Sequence, residues 1–385
     1  MDEGRIDGQS PLTRTRATRR TAFGLALAGF GLGAAPAEAS KQKKKRCKNG
    51  TVRCGKNCRD VQRDARNCGG CGVVCGDWQD CCASACADLW TSRDGLSARV
   101  PWGIAVAPMG SRLWVTELWE GRVAVLRRKD AGGWEREVSF GSSGSDDDQL
   151  DYPAAVAASP DGSRVWVADT LNHRIAVWID GGGVWTPETT FGSPGDGDAN
   201  LAQPEDVAVS SDGKTVWVAD SVHSRVSIWR EDRGTWTHDV NFGTPGRGPT
   251  ALQAPVGLAV APDGQTVWVV DAANRRVSIW TLRAGAWVPQ GRFGREGARL
   301  QEFANPSGIA VSADGERAWI ADFGRVVVWE KQGDVWRARH TVEDDANRSL
   351  RSSHKIAISE NPLEVWVSDS DRSLVVGWAE TGCAG

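Results

Sequence analysis

A unit of about fifty residues recurs six times in this chain and fills everything after residue 98. Its first position falls at Pro101, Pro153, Pro204, Pro255, Pro306 and, with the proline lost, Ser353, so successive copies are 52, 51, 51, 51 and 47 residues apart. A fixed period of that size means a solenoid or a propeller, and the contents of one period decide which. The second copy reads "AAVAAS", the turn Pro160-Asp161-Gly162, "RVWVAD", the polar loop "TLNH", "RIAVWI", the turn "DGGG" and "VWTPETTFG". These are four short β-branched and aromatic runs separated by turn chemistry, which predicts one four-stranded antiparallel sheet per period. No stretch of the repeat keeps helical periodicity. A small sheet that is apolar on both faces must pack against copies of itself, and a ring of such sheets also hides the strand edges. The expected fold is all-β, a six-bladed β-propeller over residues 89–385.

Sixteen of the twenty tryptophans lie at three phases of the repeat. Trp114, Trp166, Trp217, Trp268, Trp319 and Trp366 fall in the second strand, Trp178, Trp229, Trp280, Trp329 and Trp378 in the third, and Trp134, Trp185, Trp236, Trp287 and Trp336 open the fourth. Recurrence at fixed phase is what blade-to-blade packing requires, whereas a ligand-stacking site needs a ring only once. The pairs Glu117/Arg122, Asp169/Arg174, Asp220/Arg225, Asp271/Arg276 and Asp322/Arg325 repeat in the same way and read as braces within each blade.

The segment from Phe242 to Val277, "FGTPGRGPTALQAPVGLAVAPDGQTVWVVDAANRRV", resembles the NHL-repeat pattern of F-G, P-x-G-[IV]-A-V, D-G and V-A-D-x-x-N-x-R-[IV]. The resemblance implies the propeller architecture and leaves function open, since that family includes binding platforms as well as lyases and lactonase-like relatives. Phe140, Phe191, Phe242 and Phe293 each precede the next proline by 13 residues, but the sixth copy stops at Gly385, before a fourth strand. The stretch "CCASACADLWTSRDGLSARVP" before Gly103 is placed to lend that strand, with its start expected near Cys81 to Cys86.

Ahead of the repeats the composition changes twice. Residues 18–39 run from the pair Arg19-Arg20 through an apolar Gly/Ala-rich segment to Ala37-Glu38-Ala39, the order of an export signal, and resemble a twin-arginine signal over 1–39. A basic linker, 40–46, follows. Between 47 and 88 stand Cys47, Cys54, Cys58, Cys68, Cys71, Cys75, Cys81, Cys82 and Cys86, too dense for core packing and too poor in apolar neighbours to fold unaided. Export favours disulfides over a zinc or iron–sulfur centre. "CGKNCRDVQRDARNCGGCGVVC" resembles a small cysteine-rich module of exported bacterial proteins, with a structural or interactive role. Nine is odd, so Cys383 is the expected outside partner of Cys81, Cys82 or Cys86.

If repeated residues are scaffold, function belongs where copies disagree. After the first-strand proline the copies read Trp102-Gly103, Ala154-Ala155, Glu205-Asp206, Val256-Gly257, Ser307-Gly308 and His354-Lys355, and the loop after the second strand holds Trp119, His173, His223, Arg275 and Phe323. The binding candidates are therefore Trp102, Trp119, His173, Glu205, Asp206, His223, Arg275, His354 and Lys355, gathered at one mouth of the channel. No catalytic motif is present, and no cofactor is expected. The repeat region carries a net charge of −10, which argues against nucleic acid. The reading is an exported, monomeric, non-catalytic platform for an extracytoplasmic protein, peptide or glycan, without a transmembrane helix in the mature chain. The alternative is a metal-dependent lyase or lactonase-like enzyme using His173, His223 and His354.

Overall fold

The computed structural model describes residues 97–379, apart from 131, 343–349 and 361–362, together with the backbone of short strands between Val52 and Leu96. The signal segment, the basic linker, the side chains of the nine clustered cysteines and Cys383 lie outside the described residues. All described residues belong to one compact unit, 47–385. Among them no helix is long and apolar enough to cross a membrane.

Six antiparallel sheets follow the sequence period among the described residues. Blade 2 is typical: Pro153–Ala158, Arg164–Asp169, Arg174–Asp180 and Trp185–Phe191 pair in sequence order. The first strands of successive blades are neighbours, and that of blade 6, Ser353–Glu360, adjoins that of blade 1, Pro101–Val106, so the ring closes around a channel lined by first strands.

The sixth sheet is completed from the N-terminal side. Trp90–Ser92 and Leu96–Ser97 run antiparallel to the third strand of blade 6, Leu374–Glu380, with Trp90 opposite Glu380 and Ser97 opposite Leu374. The borrowed strand thus begins at Trp90, which corrects the expected start at Cys81 to Cys86. Trp90 stands 6 residues before Leu96, as Trp185 stands before Phe191, and so occupies the fourth-strand phase. The expectation was misplaced because the loop from this strand to Pro101 is shorter than in the other blades.

The cores lie between blades rather than within them. Trp114, Val123 and Phe140 of blade 1 cluster with Val156, Val165, Trp178 and Trp185 of blade 2, and the combination recurs around the ring. Each fourth-strand phenylalanine is wedged between two tryptophans of the next blade. Phe242, for example, tilts on Trp280 at 4.8 Å and stacks on Trp287 at 5.1 Å. In blades 1 to 4 the second-strand tryptophan reaches toward the next blade's Asp-Gly turn: a Cβ on Gly162 (φ +70) would meet the Trp114 ring at 3.1 Å. Glycine is needed there twice over, for the left-handed backbone and for the ring.

The repeated carboxylate does more than brace its own blade. Glu117, Asp169, Asp220, Asp271, Asp322 and Asp369 are fully buried. Each accepts a backbone N–H from just before its blade's first strand, two residues ahead in Arg99, Asp151, Ala202, Gln253 and Arg351 and one ahead in Asn305, at 2.6–2.9 Å. In blades 1 to 5 the partner arginine donates its Nε at 2.6–2.9 Å. In blades 2 to 5 the remaining nitrogens bind carbonyls of the loop arriving from the previous blade, as Arg225 does at Gly197 and Asn200. The pair therefore fixes the connection between blades. Burial pushes the Asp169 carboxyl up, whereas in Glu117 burial is outweighed by hydrogen bonds from Arg136, the Arg99 N–H and Arg122, and the carboxyl falls below its ordinary value.

Replacing Phe242 by alanine opens a cavity against Trp280 and Trp287 and should destabilise the ring by about 3–5 kcal/mol. The exposed Val240, two residues away on the same strand, should lose no more than ~0.5 kcal/mol on the same change. Chemical denaturation of both variants checks the contrast, and equal losses would contradict the packing described.

Candidate functional site

The first strand of every blade carries a bulge just after its opening residue. In blade 3 the register passes from Pro204 opposite Asp220 to Asp206 opposite Ala219, which leaves Glu205 outside the ladder. The same shift follows Pro101, Pro153, Pro255, Pro306 and Ser353. A bulge frees a side chain from the pleat and re-aims it. That is why the copies are free to differ at Trp102, Ala154, Glu205, Val256, Ser307 and His354.

The next position is crowded. A Cβ on Gly103 would come within 2.6 Å of the Ala155 Cα, and one on Gly308 within 2.6 Å of the His354 carbonyl. Four copies accordingly carry Gly or Ala, while blades 3 and 6, which face each other across the ring, carry Asp206 and Lys355. Lys355 is 5% exposed and reaches over the channel. Its Nζ donates to the Val256 carbonyl and lies 3.4 Å from Asp206 Oδ2. Asp206 also accepts the N–H of Val207 at 2.9 Å and of Leu258, in blade 4, at 2.8 Å. These two residues therefore form a strut inside the channel and not part of an open binding surface. Burial pushes the Asp206 carboxyl up, with Lys355 pulling the other way.

Above this strut sits an aromatic group. Trp102 stacks on His354, ring centroids 3.4 Å apart and planes at 20°. Tyr152 approaches Trp102 at 5.8 Å and Trp119 edge-on at 5.5 Å. Trp119 stands on a short 3-10 turn, Leu118–Glu120, and is 68% exposed. His354 Nε2 is 2.7 Å from Ser370 Oγ and 3.1 Å from Ser352 Oγ. Burial, with Lys355 adjacent, lowers its pKa to about 4, so the ring is neutral at pH 7. Glu205 has its carboxyl pushed up by burial, opposed by Lys355 and reinforced by Asp206. The Tyr152 hydroxyl is raised by burial and by the charge of Glu205.

Of the sequence candidates, Trp102, Trp119, Glu205, Asp206, His354 and Lys355 meet at this mouth. His173, His223 and Arg275 share the face but sit farther out, each already engaged. His173 Nδ1 accepts the Gln203 N–H at 3.2 Å, His223 Nδ1 is 2.8 Å from Asp220, and Arg275 donates to Asn305 Oδ1 at 2.7 Å. Among the described residues, no three of His, Cys, Asp and Glu come together as a ligand set for a metal ion. Tyr152, Ser352, Ser370 and Ser368, whose hydroxyl donates to the Trp102 carbonyl at 2.5 Å, were not among the candidates. The one tyrosine of the chain, placed just before a first-strand proline, is the signal that could have found the first of them.

The NHL repeat, as a family profile, matches residues 201–229. No curated protein matches the chain. Among solved structures, hydrazine synthase of Kuenenia stuttgartiensis is similar with a TM-score of 0.50 and 15% identity, over 72% of this chain and 76% of that one. A putative gluconolactonase is similar with a TM-score of 0.52 and 15% identity, over 76% of this chain and 92% of that one. At this identity the likeness is one of fold.

Because His354 is held neutral in the fold, the unfolded chain binds a proton that the folded one rejects between about pH 6.5 and about 4. The stability it contributes is complete above that window and is lost as pH falls through it. His340, also lowered to about 4, acts in the same direction. The melting temperature of His354→Phe should therefore fall less steeply than that of the wild type on acidification. Parallel curves would place His354 in water instead.

Proposed function

We propose that the chain is an exported, non-catalytic propeller platform that grips a cationic group of a protein or peptide at the mouth carrying Trp102, Tyr152 and Glu205. The observation that carries this reading is the division of charge. The cation at the site, Lys355, is engaged by Asp206 and the Val256 carbonyl, which leaves Glu205, outside the ladder at the same bulge as Trp102 and His354, as the carboxylate for an incoming partner. A carboxylate next to tryptophan and tyrosine rings favours an ammonium or guanidinium group, by charge and by cation–π attraction of about 0.5–2 kcal/mol. The rim supports a protein surface around that cation. Trp119, Leu171, Val222 and Phe323 project from the loops after the second strands of blades 1, 2, 3 and 5, exposed by 68, 45, 60 and 65%.

The lyase or lactonase-like reading requires donors that share one centre. His173, His223 and His354 are committed to separate partners in separate blades, and the gluconolactonase likeness carries the fold alone.

Two capped pentapeptides differing only in a central lysine or norleucine distinguish the proposal by calorimetry. The lysine peptide should bind at least about tenfold tighter, and Glu205→Gln should abolish the difference. With its pKa raised, Glu205 ionises only above the ordinary glutamate value of about 4.3, so the lysine preference should appear as pH rises through a midpoint above that value. Equal binding of the two peptides would refute the proposal.

Export rests on residues 18–39. Changing Arg19 and Arg20 together to lysine should retain the protein in the cytoplasm, because a twin-arginine signal is read as a pair. Fractionation showing undiminished export would assign a different route.

A further inference from the structure

The blade interfaces differ at one repeated place, and the difference leaves a cavity lined by none of the mouth residues. At the start of the second strand the copies carry Arg112, Arg164, Thr215, Thr266, Arg317 and Glu364. In blades 1 and 2 the arginine fills the seam to the next blade. Arg164 lies over Trp166 at 5.1 Å and over Trp236 of blade 3 at 5.6 Å, with its nitrogens on Glu188 at 2.6 Å and Glu231 at 2.9 Å. Arg112 repeats this with Glu137 and Asp180. At the seam between blades 6 and 1 the charges are exchanged, and Glu364 pairs with Arg128.

Between blades 4 and 5 every element of this arrangement has changed. Thr266 replaces the arginine, and Gln290 and Lys331 replace the two carboxylates. Gln290 takes a hydrogen bond from Thr281, and Lys331 turns to Glu316 at 3.3 Å. One residue on, Gly291 stands where the other blades have Val138, Thr189, Val240 and His340, and a Cβ built on it would meet no atom within 4 Å. The result is a cavity of about 1290 Å³ floored by Trp268, Phe293, Trp329 and Trp336. The seam between blades 3 and 4 shows that losing the arginine alone does not suffice. There Thr215 is accompanied by Val240 and Leu282, and the cavity is about 240 Å³.

We propose that this cleft is a second binding site, and that it takes a neutral oligosaccharide. It is larger than the ~300–1000 Å³ of small-molecule pockets and runs from the hairpin at Asp334–Trp336 to the loop at Arg295–Glu302, which suits a chain of rings. Its floor is aromatic, with Phe293 and Trp336 supplying apolar ring surface. Four acidic and four basic side chains line the walls, so the site carries no net charge. A guanidinium from a partner, the group lost at Thr266, is disfavoured because both carboxylates that would receive it are gone.

Calorimetric titration of the protein with cellohexaose, maltohexaose and chitohexaose, each neutral, tests the assignment. At least one should bind, and Thr266→Arg and Gly291→Val, which refill the seam from its two sides, should each weaken that binding at least about tenfold. Thr215→Arg at the neighbouring seam and Glu205→Gln at the mouth should leave it unchanged. Should Thr266→Arg fail to fold, the exposed Gly291→Val decides alone. Failure of all three hexasaccharides to bind, binding indifferent to Gly291→Val, or binding lost with Glu205→Gln overturns the proposal.

Discussion

One buried carboxylate per blade holds this structure in register. It receives a backbone N–H from just before its own first strand, and through its arginine it also holds the carbonyls of the loop descending from the previous blade. A carboxylate withdrawn from water is costly unless its oxygens are filled, and here both are. The consequence is geometric. Every first strand enters the ring at the same height, and the loop after each second strand is tied to the same entry point, as Leu171 N–H donates to the Asp151 carbonyl and Val222 N–H to Ala202. The mouth of the channel is the face on which these ties converge.

Once the entry points are fixed, the bulge after them decides which positions can vary. Glu205, Trp102 and His354 are outside the ladder and pack as their neighbours allow, whereas the following residue must be small where two first strands crowd each other. The two charged exceptions are tolerated because they face each other. Lys355 crosses from blade 6 to blades 3 and 4, and Asp206 ties blade 3 to blade 4, so the strut links three blades through the channel. Removing one member would strand the other charge in a buried site, at a cost of several kcal/mol. The mouth above it is left with Glu205 and aromatic faces.

The same logic of repetition separates packing from function in the outer seams. Four successive phenylalanines are held between tryptophans in nearly the same geometry, which is scaffold. The seam between blades 4 and 5 keeps that stack but lacks the arginine, its two acids and the adjacent side chain together. Changes that are concerted at one seam, and incomplete at its neighbour, distinguish a built cleft from a drifting repeat.

The period, the four strands per blade, the packing of the three tryptophan phases between blades and the loan of an N-terminal strand were all legible in the sequence, because each is a local pattern or a count of missing parts. The start of the borrowed strand was not. The loop after Trp90 is shortened, and spacing counted back from Pro101 cannot detect a shortened loop. The acid and arginine pairs read as braces within blades because their spacing is short, yet their partners in the incoming loop lie 23 or more residues earlier. Glu205, Trp102 and His354 came from listing positions where copies disagree. That list could not tell Glu205 from Asp206, one residue along, since both are acids on an inner strand. Only ring closure brings blade 6 opposite blade 3. A side chain that crosses a channel meets whatever stands on the far side, and a linear repeat does not record which copies face each other.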